Sequence, residues 1–393
     1  MNVMPPPPAQ RMQEIAISAA VDVANAILSG RNRHGDPILM HDGEPDFPVP
    51  PAIIEATRRA LAAGRTGYDA LTGVTALRER ICLTLREADG LDLSPDNVLV
   101  SNGSSQAIFQ ILLAYVNPGD HVLVPAPAWP SYLAGIRLAG GIPVTYPCLD
   151  AELDLDRLDT LATKSRAKLV IVNSPHNPTG VVLPDSVLLG IHALAEKHDM
   201  LIISDEAYEA FVFGRARPTN FQALVGSCGQ RILSTRSFSK TYAMTGFRIG
   251  YLYAERAHVA RCAAIQCHVS DNACTFAQYG ALAALDTPAA QHRRHAALIE
   301  QRIHSVYSGI REWLPCPVPE GGFYVFPSLA SVLTSQWRDA PTFVSELFQA
   351  TGVRAVPGEA FGLPGHMRLS IAATDAPRIE AATKRIIDFI RRG

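Results

Sequence analysis

The sequence holds little that would mark its product as secreted, membrane-bound or metal-dependent. Seven cysteines in 393 residues include no Cys-x-x-Cys pair. The closest group, Cys262, Cys267 and Cys274, has a spacing that suits no common metal site, so no metal is expected. An odd, scattered set of thiols points to a reducing compartment rather than a disulfide scaffold. No apolar stretch is long enough to cross a bilayer, and the best candidate, Ala107 to Val116, is interrupted by Gln110. The start, Met1 to Pro8, has no basic flank followed by an apolar run, so it does not read as a secretory signal. An excess of one charge is missing too: the formal net charge is −2, and basic pairs such as Arg58-Arg59 and Arg293-Arg294 are short. Neither nucleic acid nor a membrane is expected as a partner. These absences together lead to the expectation of a cytoplasmic protein.

What is present is globular in character. Nearly half of the residues are apolar (48%) and 18% are charged, in a chain longer than one hydrophobic core usually spans. The four-proline run reads as a mobile tail, followed by one amphipathic helix to about Arg33. After that, short β-branched runs alternate with helical patterns. Strands are expected at Asn97–Ser101, Asp120–Val124, Lys168–Asn173, Met200–Ser204, Arg231–Thr235 and Arg248–Tyr253, with helices at Ser104–Val116 and Asp185–Lys197. KLVIVN and MLIIS are apolar throughout, as strands buried on both faces should be. The alternation predicts an α/β fold with a mainly parallel sheet covered by helices on both faces. From about Thr287 a long His- and Arg-rich helix leads to GGFYVFP and a short strand at Met367–Ile371, which predicts a smaller α+β domain. The expected division is an N-terminal arm over 1–45 that joins the small domain, a large domain over 46–290 and the small domain over 291–393.

In open α/β sheets, ligands bind beyond the carboxyl ends of the strands, and the chemically interesting residues fall there. Asn102-Gly103-Ser104-Ser105 lies between a strand and a helix, where free amides can hold an anion, although it has neither the Gly-x-Gly-x-x-Gly nor the P-loop pattern. Asp205 ends the buried strand MLIIS. It fits either a helix N-cap or the partner of a buried cation such as a protonated ring nitrogen. Ser237-Phe238-Ser239-Lys240, with Arg248 eight residues on, frames a lysine whose pKa desolvation and a cationic neighbour would lower, a candidate Schiff-base nucleophile. Arg368, inside Met367-Arg368-Leu369-Ser370, is either an edge-strand arginine or a bidentate clamp on a carboxylate. His292-Arg293-Arg294-His295 reads as an exposed helix face, and Asp150 to Asp156 as a turn feeding a helix, since it lacks the glycine and glutamate of a calcium loop.

These motifs occur in an order that resembles the class I/II aminotransferases, the aspartate-aminotransferase-like family of fold type I. The resemblance runs from Gly43-Glu44-Pro45-Asp46-Phe47 through Tyr68, Gly73, Gly103 to Ala107 and Asn173-Ser174-Pro175-His176-Asn177-Pro178-Thr179-Gly180. It continues through Asp205-Glu206-Ala207-Tyr208, Ser237 to Lys240, Arg248, Pro357-Gly358 and Met367 to Ser370, covering nearly the whole chain. It implies a pyridoxal 5'-phosphate enzyme in which Lys240 forms the internal aldimine and shuttles the proton between substrate Cα and cofactor C4′. Asp205 would pair with the pyridinium nitrogen so that the ring acts as an electron sink. Asn177 and Tyr208 would hydrogen-bond the ring oxygen, and Trp129 would stack on the ring. Ser104, Ser105, Ser237 and Arg248 would hold the phosphate. Arg368 would clamp the substrate α-carboxylate, helped by Asn177 and the backbone at Gly43. Tyr68 would reach the phosphate of a neighbouring subunit, which implies a homodimer with shared sites.

The resemblance implies transfer of an amino group between an L-amino acid and a 2-oxo acid in ping-pong fashion. The same scaffold hosts carbon–sulfur β-lyases and aminocyclopropanecarboxylate synthases, which share the lysine, aspartate and arginine. A cofactor-binding regulator would carry an N-terminal DNA-binding domain, and only about 40 residues without a basic helix-turn-helix pattern precede Gly43. Some acid-specific relatives carry a lysine where this chain has Ser105, which weakens the expectation of a dicarboxylic substrate. The stretch Cys267 to Cys274 departs from the family's Ser/Thr/Pro-rich loop, leaving His268 and Asn272 as either substrate contacts or surface residues.

Overall fold

Apolar runs that do not alternate need cover on both faces, and the structure supplies it. The computed structural model describes residues 7–15, 35–217, 219–226 and 229–392. Of the arm, Gln10–Glu14 forms a 3₁₀ segment, while most of the expected N-terminal helix, at positions 16–34, lies outside the described residues. After a short first strand, β1 (Ile38–Leu39), seven strands build the central sheet. They are β2 (Val98–Ser101), β3 (His121–Ala126), β4 (Ile142–Pro147), β5 (Leu169–Asn173), β6 (Leu201–Asp205), β7 (Ile232–Ser237) and β8 (Gly250–Tyr253). Their order is β2-β8-β7-β6-β5-β3-β4. Only β8 runs against its neighbours, pairing antiparallel with both β7 and β2. The sheet is therefore mainly parallel, as the alternation of strand and helix patterns predicts.

Side-chain alternation along one strand shows how both faces are buried. In β5, Leu169 and Ile171 pack with Ile108, Ile111 and Ile136 from the helices Ser104–Tyr115 and Pro130–Leu138. Val170 and Val172 point the other way, onto Leu158, Leu188 and Ile191 of the helices Leu155–Ser165 and Asp185–Lys197. Every residue of β5 is thus buried, with no polar face to reveal a period of two. Asp154 starts the first of those two helices by accepting the Arg157 amide at 2.8 Å, which makes the acidic stretch a capped turn.

β4 has no counterpart in the sequence reading. It pairs only with β3, at the edge of the sheet, and carries Pro143 and Pro147. Proline is tolerated there because one side of an edge strand needs no amide donors, and partial exposure removes the apolar signature.

The C-terminal part is built differently. The helix Ala289–Ile310 leads to β9 (Tyr324–Val325), and β10 (Val353–Arg354), β11 (Val356–Pro357) and β12 (Met367–Ser370) follow. β11, β12 and β9 form an antiparallel sheet with β12 in the middle, while β10 pairs in parallel with β1. One core joins Ile38 and Met40 to Ile303, Phe343, Leu347, Leu369 and Ile386, so the segment around β1 packs with the C-terminal elements. The long helix corrects one expectation. Arg293 and Arg294 are exposed, but His295 stacks on Phe47 at 3.9 Å and His292 meets the Tyr242 ring edge-on at 5.0 Å. The histidines of that motif are packing residues, not a solvated face.

Candidate active site

The carboxyl ends of β5, β6 and β7 carry Asn173, Asp205 and Ser237 into one crevice, where a cavity of 360 Å³ opens. Asp205 forms its floor. The carboxylate is buried, accepts the Tyr132 hydroxyl at 2.5 Å and accepts the Ala207 amide at 3.1 Å. Burial pushes its pKa up to about 6, against the lowering effect of those two donors. A turn rather than a helix follows it, so it does not serve as a helix cap. The residue after it, Glu206, is directed away into a buried network with Arg236 at 2.9 Å and the Tyr253 hydroxyl at 2.6 Å.

Lys240 enters from a one-turn helix, Phe238–Thr241, that starts where β7 ends. Ser237 caps this turn by accepting the Ser239 amide at 3.1 Å. The Lys240 ammonium donates to the Gly43 carbonyl at 2.9 Å. Burial brings its pKa down to about 8; Asp42 and Glu44 oppose that shift, and Arg368 and Arg248 add to it.

An anion cradle lies beside the lysine. The helix Ser104–Tyr115 begins after Gly103, and Ser104, Ser105, Ser237 and Arg248 all line the cavity. Space is kept there by the absence of two side chains. A Cβ at Gly103 would fall 2.5 Å from Arg248 Nη2, and one at Gly250 would fall 2.4 Å from the Ser104 amide. Arg248 adopts a left-handed backbone (φ 56°), and its Nη1 donates to the Thr245 carbonyl at 2.9 Å.

Arg368 closes the opposite side. It sits on β12, the middle strand of its sheet, so the edge-strand reading is excluded. Its guanidinium donates to Asn177 Oδ1 at 3.1 Å and to the His41 carbonyl at 2.6 Å, between the rings of Tyr324 and Phe361 at 4.3 and 4.7 Å. Nε of Arg368 is buried without a hydrogen-bond partner. Tyr208 and Tyr324 share a hydroxyl–hydroxyl bond of 2.7 Å, and burial drives the Tyr208 pKa well above its usual value. The Gly43–Phe47 segment is anchored from below by Arg302, which grips Asp46 through two bonds of 2.8 and 2.9 Å.

Of the residues singled out from sequence, Gly43, Ser104, Ser105, Trp129, Asn177, Asp205, Tyr208, Ser237, Lys240, Arg248 and Arg368 all line this one cavity. Tyr68 does not; it is 86% exposed. His268 and Asn272 also lie outside the lining. His268 is exposed, and Asn272 bonds its own loop at Ala273 and Thr275. Sequence reasoning missed Tyr132, Tyr324, Asn173 and Asp42, which complete the wall. Tyr132 stands three residues after Trp129 and meets it edge-on at 5.3 Å, one helical turn along. That spacing was its only signal. Asn173 was read as the end of a strand, but its amide group donates to the Asp205 carbonyl at 3.0 Å and its oxygen accepts the Asn177 amide at 2.9 Å.

A mainly parallel sheet under helices, with a smaller α+β part closing over a cavity at the strand ends, defines an α/β enzyme. Residues 36–386 match aminotransferase class I and II, and the chain belongs to that family. A bifunctional aspartate aminotransferase and glutamate/aspartate-prephenate aminotransferase of Petunia hybrida is 36% identical, covering 94% of this chain and 79% of that protein. A probable aspartate/prephenate aminotransferase of Aquifex aeolicus is 34% identical over 98% of this chain and 97% of its own length. The solved structure of aspartate aminotransferase from Thermus thermophilus with maleate superposes with a TM-score of 0.88 at 32% identity, covering 98% of both chains. These relatives are aminotransferases by name, and elimination chemistry has no counterpart among them.

Proposed function

We propose that this chain is a pyridoxal 5'-phosphate-dependent aminotransferase that moves an amino group between an L-amino acid and a 2-oxo acid. The observation that carries the reading is a single cavity holding a buried amine, Lys240, and a buried carboxylate, Asp205, between an anion cradle and an arginine. The residues suit the cofactor. The Asp205 carboxylate has hydrogen-bond donors but no cationic partner among the described residues, and a protonated ring nitrogen is the partner it lacks. The space that Gly103 and Gly250 leave between Arg248 and the Ser104 amide suits a phosphate.

When bound, the cofactor supplies an electron sink for the charge left on substrate Cα as its proton departs. The remaining work falls to side chains. Asp205 keeps the ring nitrogen protonated, and Tyr132 orients that carboxylate. Ser104, Ser105, Ser237 and Arg248 hold the phosphate. Trp129 would stack on the ring, and Asn177 and Tyr208 would hydrogen-bond the ring oxygen. Lys240 would hold the cofactor through Nζ and, as a free amine, would carry the proton to and from substrate Cα. A pKa near 8, well below the usual lysine value, leaves about a fifth of this amine neutral near pH 7.4 and able to accept that proton. Arg368, Asn177 and the Gly43 backbone fix the α-carboxylate, which sets the orientation of the breaking Cα–H bond.

The same reading assigns Tyr68 to the phosphate of a second copy of the chain in a homodimer, consistent with its exposure. It divides the chain into a large domain over 46–290, a small one over 291–393 and an arm over 1–45 that joins the small domain. An absorbance spectrum tests the chemistry. A visible band should appear in the purified protein, bleach with an L-amino acid and return with a 2-oxo acid, and Lys240→Ala should lack both band and turnover. Ammonia accumulating while the band persists would instead mean elimination, and a Lys240→Ala protein that still transfers amino groups would sink the assignment.

A further inference from the structure

The charges lining the cavity are unevenly distributed. Its cations are Lys240, Arg248 and Arg368, and its carboxylates are Asp42 and Asp205. In the reading above, all three cations are already engaged, by the cofactor, its phosphate and the substrate α-carboxylate. The rings against Arg368, Tyr324 and Phe361, are neutral, as are the lining residues Trp129 and Thr245. Among the described residues of one copy of the chain, no lining cation therefore remains for a second carboxylate on the substrate. Asp205 is sealed into the floor by Tyr132 and Ala207. Asp42 is not. It is exposed at the mouth, and its carboxylate has no hydrogen bond or ion pair among the described residues.

The position of Asp42 is fixed on both sides. Arg368 Nη2 donates to the carbonyl of His41 at 2.6 Å, and Lys240 Nζ donates to the carbonyl of Gly43 at 2.9 Å. The backbone of Asp42 thus runs between Arg368, which would hold the substrate's carboxylate, and Lys240, which would hold the cofactor. Its negative charge is felt at Lys240, where it opposes the effect of burial. Glu44, two residues on and outside the lining, accepts the hydroxyl of Thr245, itself a lining residue. Arg368 Nε, buried and unpartnered, keeps a donor available on this side of the cavity.

We infer that Asp42 is a specificity-determining residue that favours L-amino acids with a basic side chain and disfavours acidic ones. This rests on the aminotransferase reading and names its substrate class. A side chain leaving a Cα fixed between Arg368 and Lys240 passes Asp42 on its way to solvent. There an ammonium or guanidinium gains a counter-charge, and a carboxylate meets repulsion that no lining cation among the described residues offsets.

The test is the rate at which single L-amino acids bleach the visible band of the holoenzyme, compared as kcat/KM for L-arginine, L-alanine and L-aspartate. The parent should rank arginine above aspartate. Asp42→Asn should lower arginine and raise aspartate, each by about two- to fivefold, as expected for an exposed charge pair worth up to about 1 kcal/mol. Opposite signs for the two substrates separate charge selection from general damage, which lowers both. Aspartate outranking arginine in the parent, or both substrates falling together in Asp42→Asn, would overturn the inference. Alanine separates the two levels of the argument. If alanine bleaches the band but the order of charged substrates does not depend on Asp42, only the specificity assignment fails. If no amino acid of any class bleaches it, the aminotransferase reading fails and takes this inference with it.

Discussion

Asp205 is the residue whose environment most needs a ligand to make sense of it. Its pKa stands near 6 in the fold against an ordinary value of 3.8, so the folded protein holds a proton there that the unfolded chain has released. The resulting penalty on the cofactor-free protein is fully present above pH 6 and disappears as the pH falls from 6 toward 3.8. Asp205→Asn should therefore stabilise the cofactor-free protein at pH 7.5 by on the order of 2 to 3 kcal/mol in urea melts. That advantage should shrink to nothing near pH 4. In the loaded enzyme the same change should slow amino-group transfer by several powers of ten, because the ring nitrogen loses the charge that keeps it protonated. A variant no more stable than its parent at pH 7.5 would mean that Asp205 already has a cationic partner in the protein. At this scale the sequence was informative. Asp205 and Arg368 stand out because a charge there ends or interrupts an apolar run, and Lys240 because it closes a strand-to-loop turn among hydroxyls with Arg248 eight residues on. Tyr132 and Asn173 do not, since an aromatic in a helix and an amide at a strand end look ordinary until their partner is known.

Among the elements, β8 is the one that shapes the anion cradle. It is inserted antiparallel between β2 and β7, which brings Gly250 against the start of the helix Ser104–Tyr115. The contact is backbone to Cβ position, 2.4 Å from the Ser104 amide and 2.7 Å from the Gly103 carbonyl carbon, so no side chain can move aside. Gly250→Ala should cost roughly 1 to 3 kcal/mol in thermal or urea unfolding, the usual range for forced overpacking. It should also weaken cofactor binding by displacing the Ser104 amide. A variant with unchanged stability and cofactor affinity would show that β8 can shift freely and does not brace the cradle. Strand positions in the buried sheet were legible because parallel, doubly covered strands read as continuous apolar runs. The exceptions have physical causes. β4 is an edge strand containing prolines, and β9, β10 and β11 are two residues each, too short to show any period. The direction of β8 could not be read at all, since direction depends on the path of the connection and not on composition.

At the scale of the whole molecule, the exposed Tyr68 and the cavity that lacks it make a symmetric pair of shared sites the arrangement to test. A purified hybrid of one Lys240→Ala subunit and one Tyr68→Ala subunit is the informative species. If Tyr68 serves the opposite site, both defects fall in one site and the other is intact, giving roughly half the parental activity per dimer. If Tyr68 serves its own site, each site carries one defect and the hybrid has only half the activity of the Tyr68→Ala dimer. The sequence by itself determined the chemistry available to this protein: which residues can be nucleophile, proton carrier, anion donor and clamp, and a sheet buried on both faces. Those properties are local, set by residue type and by the periodicity of neighbours a few positions apart. Tertiary structure alone decided what those residues can act upon. It brought Asp42, Lys240 and Arg368 together from three distant segments, placed Tyr132 under Asp205 and left Tyr68 outside. Spacing along a chain cannot report such arrangements, because they depend on how separate elements pack.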